Sequence, residues 1–87
     1  MSALTNIAAV FFEQQKYTEC IAKCEEAVEV GQENGADSKL IAKAYARIAN
    51  AYSRLNQQSK ALMYYQKSLS EHRDPAILKK VTQIGEL

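Results

Sequence analysis

Apolar residues recur along this chain at helical spacing, and no stretch alternates polar and β-branched residues as a half-buried strand would. Ile41, Tyr45, Ile48, Tyr52 and Leu55 form one such stripe, with Lys39, Lys43, Arg47, Asn50 and Arg54 on the opposite side. Near the start, Leu4, Ile7, Ala8, Val10, Phe11 and Phe12 surround almost a full helical circumference and leave Ser2, Asn6 and Glu13 as a narrow polar strip. Gly31, Gly35, Pro75 and Gly85 are the only glycine and proline residues, so little interrupts helix formation. The pattern predicts five helices over 2–14, 17–34, 38–56, 59–72 and 75–86, joined at Gln14–Lys16, Asn34–Ala36, Asn56–Gln58 and Arg73–Asp74. The last helix has the clearest start: Asp74 can accept backbone N–H bonds as N-cap, and Pro75 at the first helical position gives up no needed donor. Ile77, Leu78, Val81 and Ile84 then give it one apolar face.

The chain is self-similar at an offset of 41 residues. Leu4 falls on Tyr45, Ile7 on Ile48, Ala8 on Ala49, Phe11 on Tyr52, Cys20 on Ala61, Cys24 on Tyr65 and Ala27 on Ser68. Small positions let neighbouring helices approach, and large ones fill the grooves between them.

Within Ala42 to Pro75, the residues Tyr45, Ile48, Ala49, Tyr52, Ala61, Tyr65 and Ser68 stand at the signature spacings of a 34-residue repeat, and the chain here resembles the tetratricopeptide repeat family. Residues 1–34 match more loosely, with the second helix extended by about seven residues, to about 36. Thr5-Asn6-x-Ala8-Ala9-Val10, Ala27 to Gly31, Ile41 to Arg47 and Ser70 to Arg73 look closer still to the middle tetratricopeptide domain of stress-inducible co-chaperones. The resemblance implies an all-α fold: a right-handed α-solenoid of two helix-turn-helix repeats, 1–34 and 42–75, plus a capping helix over 75–86, in one domain spanning 1–87.

Composition narrows what such a fold can do. Eleven Lys and Arg against ten Asp and Glu leave a net charge of +1, too little to imply nucleic acid or an anionic membrane as partner. The apolar run Ile7–Phe12 is too short for a membrane span. Two cysteines one helical turn apart close almost no loop, which fits a reducing, cytoplasmic setting. Cys20 and Cys24 have ligand-like spacing, but a closed zinc site needs four ligands and His72 is the only other soft candidate, so both are expected in the core, with no metal and no cofactor. His72, near a helix end, is expected to cap rather than catalyse, and Tyr45, Tyr52, Tyr64 and Tyr65 to be mostly core, with Tyr64 the one expected to reach the surface. No Ser/His/Asp ordering, phosphate-cradling glycine loop or convincing carboxylate pair is present, so the chain reads as a non-enzyme.

The basic stripe is the one constellation that carries chemistry. Like charges at i,i+4 disfavour an isolated helix by about 0.2–0.5 kcal/mol per pair, so an anionic partner should lie opposite. One candidate is internal, the segment Glu13–Glu33 with six Glu against two Lys; the other is an acidic ligand.

The resemblance implies the second. In the related co-chaperone domains, residues matching Asn6, Lys43 and Arg47 belong to a clamp for the terminal carboxylate and acidic side chains of a Glu-Glu-Val-Asp tail, and Asn50 and Glu13 fall on groove positions. The implied partner is the acidic C-terminal peptide of heat-shock chaperones, the ninety-kilodalton class ahead of the seventy-kilodalton class. The family domain has three repeats and draws a further Lys and Asn of its clamp from the first, whereas this chain starts at the equivalent of the second. A piece of a larger protein, or a homodimer covering the apolar first helix through exchange at the Asn34–Asp37 joint, would each meet that shortfall. The alternative function is therefore a self-assembling helical scaffold without a competent peptide site.

Overall fold

The computed structural model describes residues 2–85, with side chains described over 3–82. Five helices follow one another: α1 (Ser2–Glu13), α2 (Tyr17–Glu33), α3 (Ser38–Arg54), α4 (Gln58–Glu71) and α5 (Pro75–Gly85). Each helix lies within two residues of the ranges predicted from the apolar pattern, apart from the extension of the second helix to about 36, and no strand occurs among the described residues. Short joints make each helix pack on the next, α1 on α2, α2 on α3, α3 on α4 and α4 on α5.

The offset of 41 residues is visible in the core. Ala8 and Ala49, Cys20 and Ala61, Cys24 and Tyr65, and Ala27 and Ser68 are all buried, none more than 3% exposed. Ser68 is polar at a small-residue position, and its hydroxyl donates to the Ala42 carbonyl at 2.8 Å, which fastens α4 to α3 without leaving a buried group unsatisfied. Two equivalences break. Ile48 and Ala51 are fully buried against Cys20, Ile21 and Cys24, whereas their counterparts Ile7 and Val10 are 43% and 51% exposed. Ile48 and Ala51 lie on α3, which sits between α2 and α4, while α1 packs extensively on α2 alone.

The turns repeat as well as the helices. Gln15 and Asn56, again 41 residues apart, adopt φ of 64° and 61°. Around them the Lys16 N–H donates to the Phe11 carbonyl at 2.8 Å, and the Gln57 N–H to the Tyr52 carbonyl at 2.9 Å. Both are the six-to-one bond of a Schellman cap. Gly35, at φ 67°, ends α2 in the same way, with the Ala36 N–H donating to the Gly31 carbonyl at 2.7 Å.

Three details differ from the sequence expectation. The helix α2 stops at Glu33 rather than near 36, and α3 starts at Ser38. Among the four tyrosines, only Tyr65 is buried. Tyr52 stacks on Tyr64 with ring centroids 5.6 Å apart and Tyr45 lies 6.1 Å from Tyr64, a half-buried ladder edged by Lys60 and Lys67. On α5, Ile77 is buried and Val81 half-buried, but Leu78 is 39% exposed. Ile84, expected on the same face, lies outside the described side chains.

Candidate functional site

Asp37 starts α3 by accepting the Lys39 N–H on its side chain at 2.9 Å. With Ile41, Ala44, Ile48 and Ala51 turned into the core, the basic stripe lies on the other face: Lys39, Lys43 and Arg54 are exposed, and Arg47 and Asn50 are half-buried. The acidic residues of α2 do not neutralise it. Among the described residues the one ion pair is Lys23–Glu26 at 3.4 Å, within α2 itself. Arg54 is used otherwise, its guanidinium lying 5.9 Å from the centre of the Phe12 ring on α1. Lys39, Lys43 and Arg47 therefore make a run of cations with no carboxylate partner among the described residues.

Asn50 is held from two sides. Its Oδ1 accepts from the Tyr65 hydroxyl on α4 and, at 3.1 Å, from the Lys80 ammonium on α5. Lys80 thus adds a cation beside the stripe from a different helix. Nothing in local spacing pointed to it; its place depends on how α5 crosses α3.

Lys43 also has a second setting. With Lys39 it lines a cleft of about 120 Å³ where the first half of α3 meets the end of α4 and the start of α5. Ala42, Ala46, Ile77, Ser68, His72 and Asp74 complete its lining. His72 occupies the C-cap position of α4, its backbone N–H donating to the Ser68 carbonyl at 3.0 Å, and Asp74 caps α5 by accepting the Ala76 N–H at 2.9 Å, as the sequence predicted for Asp74.

Asn6 and Glu13 are exposed on α1 and are not among the residues lining that cleft. The offset places Asn6 at the same repeat position as Arg47, and Glu13 at that of Arg54. The structure therefore brings Lys43 together with Lys39 and His72, and Asn50 together with Tyr65 and Lys80, while Asn6 and Glu13 stand at equivalent positions on another helix.

The cysteines belong to the core. Both are fully buried; burial pushes the Cys24 thiol up to about 12 and raises that of Cys20, with the Arg47 charge opposing both shifts. Thiols held neutral in this way are poor nucleophiles and poor ligands. No group of three or more His, Cys, Asp or Glu gathers among the described residues in a way that could hold a metal ion, and none of the described helices is long and apolar enough to cross a membrane.

Comparison with known proteins agrees with the repeat geometry. The tetratricopeptide repeat model matches residues 1–70. The chain belongs to the tetratricopeptide repeat family. Within that family it is 52% identical over 79 residues to Stress-induced-phosphoprotein 1 of Caenorhabditis elegans, a match that covers 91% of this chain and 25% of that protein. It is 45% identical over 87 residues to the Hsp70-Hsp90 organizing protein of Triticum aestivum, covering 95% of this chain and 15% of that one. This tetratricopeptide chain therefore spans a quarter or less of the length of these relatives. A solved structure of yeast Sti1, the complex of its TPR2AB domain with pHSP90, superposes with a TM-score of 0.96 at 44% identity, covering 98% of this chain and 33% of that one.

Proposed function

We propose that this chain is a co-chaperone-type protein-interaction module that binds the acidic Glu-Glu-Val-Asp tail of cytoplasmic heat-shock chaperones, the ninety-kilodalton class ahead of the seventy-kilodalton class. Lys43 and Arg47 supply the cations for the chain-end carboxylate and the acidic side chains. Asn6 adds a polar anchor from α1, and Glu13 and Asn50 lie along the groove. The domain is organised as repeats 1–34 and 42–75 with a cap from 75. It acts by binding and not by catalysis, and its partner is neither nucleic acid nor membrane.

The observation that carries this reading is the run Lys39, Lys43 and Arg47 on α3, which meets no carboxylate among the described residues. Holding like charges in line on one helix face opposes folding, and an acidic guest offsets that cost. A chain-end carboxylate also accepts charge-assisted hydrogen bonds that an internal segment cannot offer, which makes recognition specific for an end. The yeast Sti1 complex with pHSP90 supports the choice of partner. Calorimetric titration with Glu-Glu-Val-Asp tests it: Lys43→Ala and Arg47→Ala should each weaken binding about tenfold or more, the loss of a charged hydrogen bond. Unchanged affinity in both variants removes the mechanism.

A second reading, a homodimeric scaffold, is favoured by the exposed Ile7 and Val10 on α1. A mass that doubles with concentration, without peptide binding, would select it.

A further inference from the structure

The basic stripe on α3 has one neutral step. Lys39, Lys43 and Arg47 are followed, about 4.5 Å further along the helix axis, by Asn50, and a cation reaches that position from another helix. The Lys80 ammonium of α5 donates to the Asn50 Oδ1 at 3.1 Å and lies 5.8 Å from the centre of the Tyr65 ring. An ammonium has three donors, and Asn50 takes one. A neutral amide therefore orients this charge without neutralising it, and no carboxylate pairs with Lys80 among the described residues. Lys80 is exposed and Asn50 half-buried, so the charge is open to a guest lying on the stripe. The same bond is the one side-chain hydrogen bond that joins α5 to another helix among the described residues; Ile77 and Val81 supply its apolar contact.

We infer that Lys80 is a further binding residue of the peptide site, supplied by α5, and that it pairs with an acidic side chain of the bound tail. This assignment rests on the acidic-tail reading above. Side chains two apart in an extended chain fall on one side, about 6.6 Å from each other, so a tail that meets Arg47 with one acid brings another within reach of the Lys80 stem. Asn50 is the positioning residue, holding the ammonium at the stripe before the guest arrives. A guest paired with Arg47 and Lys80 touches α3 and α5 at once. Binding then holds α5 against α3 and lowers the population of states in which α5 has come away.

Double-mutant cycles test the pairing. Glu-Glu-Val-Asp and three versions, with glutamine in place of either glutamate or asparagine in place of the aspartate, are titrated into the unmodified protein and into Lys80→Ala. Lys80→Ala should weaken binding of Glu-Glu-Val-Asp about threefold to fivefold, the value of one exposed ion pair, and should cost nothing with the one peptide that lacks the partner acid. Lys80→Arg should retain the affinity, and Lys79→Ala, which removes an exposed cation from the same helix, should leave it unchanged. If Lys80→Ala weakens all four peptides equally, or none, the pairing is overturned, while the clamp stands as long as Lys43→Ala still weakens binding. Failure of every peptide to bind the unmodified protein overturns the acidic-tail reading and the role of Lys80 with it. A measurement on the unmodified protein covers the case in which Lys80→Ala loosens α5. Amide hydrogen exchange over residues 78–82 should slow about threefold or more at saturation with Glu-Glu-Val-Asp and stay at the free rate with the peptide that lacks the partner acid. Exchange that both peptides slow equally, or leave unchanged, contradicts the proposal.

Discussion

Lys80 of α5 donates to the Oδ1 of Asn50 across the boundary with α3, at 3.1 Å, and the Tyr65 hydroxyl donates to the same oxygen. One amide therefore ties three helices together at the edge of the basic stripe. Tyr65 is a buried side chain whose hydroxyl makes a part-buried bond to Asn50, so removing the acceptor takes that bond away. Asn50→Ala should destabilise the fold by about 1–2 kcal/mol, and the melting temperature should fall by about 4–8 °C per kcal/mol for a domain of this size. Thermal unfolding of Asn50→Ala, Tyr65→Phe and the double variant checks this. The two losses should be less than additive, because each variant removes the same bond.

The paired turns lead to a second prediction. Gln15 and Asn56 occupy the left-handed region, at φ 64° and 61°, where a side chain is strained and glycine is not. Gln15→Gly should stabilise the protein by about 0.5–1 kcal/mol and Asn56→Gly by less, since asparagine tolerates this conformation better than glutamine. Gly35→Ala, at φ 67°, should cost about 1 kcal/mol from backbone strain alone, because nothing lies within 4 Å of the position its Cβ would take. Denaturant midpoints of the three variants test the ordering. A destabilised Gln15→Gly would contradict it.

The helices were legible because one proline and three glycines leave little to break them, and because the small and large positions recur at a fixed offset. The αL turn at Gln15 was not, because glutamine carries no signal for positive φ, unlike Asn56 and Gly35. Of the candidate site, the stripe on α3 could be read from spacing within one helix. Lys80 could not, since its approach to Asn50 depends on the crossing of α3 and α5. The cleft was hidden for the same reason: Lys43 and Ile77 come together only through tertiary packing. Tyr45, Tyr52 and Tyr64 pack against the core as their periodicity suggested, but only half-buried, with Lys60 over Tyr52 and Lys67 over Tyr45 and Tyr64.

Alkaline pH should weaken the fold. Burial raises Cys20 above its ordinary 9.0 and pushes Cys24 up to about 12, and burial likewise raises Tyr52, Tyr64 and Tyr65 above their ordinary 10.0. Below about pH 9 these groups are protonated in both states, and their stabilising contribution is complete. Above it the unfolded chain releases protons that the folded chain retains, so stability falls as pH rises, for Cys24 until about pH 12. Urea midpoints at pH 7, 9 and 10.5 should decline in that order, and Cys24→Ala should flatten the decline. Midpoints that rise across the series would contradict the burial of these groups.

The role proposed for Asn6, Lys43 and Arg47 depends on recognising the end of an acidic chain, and one comparison isolates that feature. Glu-Glu-Val-Asp with a free C-terminal carboxylate and the same peptide with a C-terminal amide differ by a single charge at the end of the chain. Titrated side by side at about 0.05 M and 0.3 M salt, the free acid should bind about tenfold or more tightly than the amide, with the preference shrinking at the higher salt. Equal binding of acid and amide at low salt would contradict a carboxylate clamp on this face of α3.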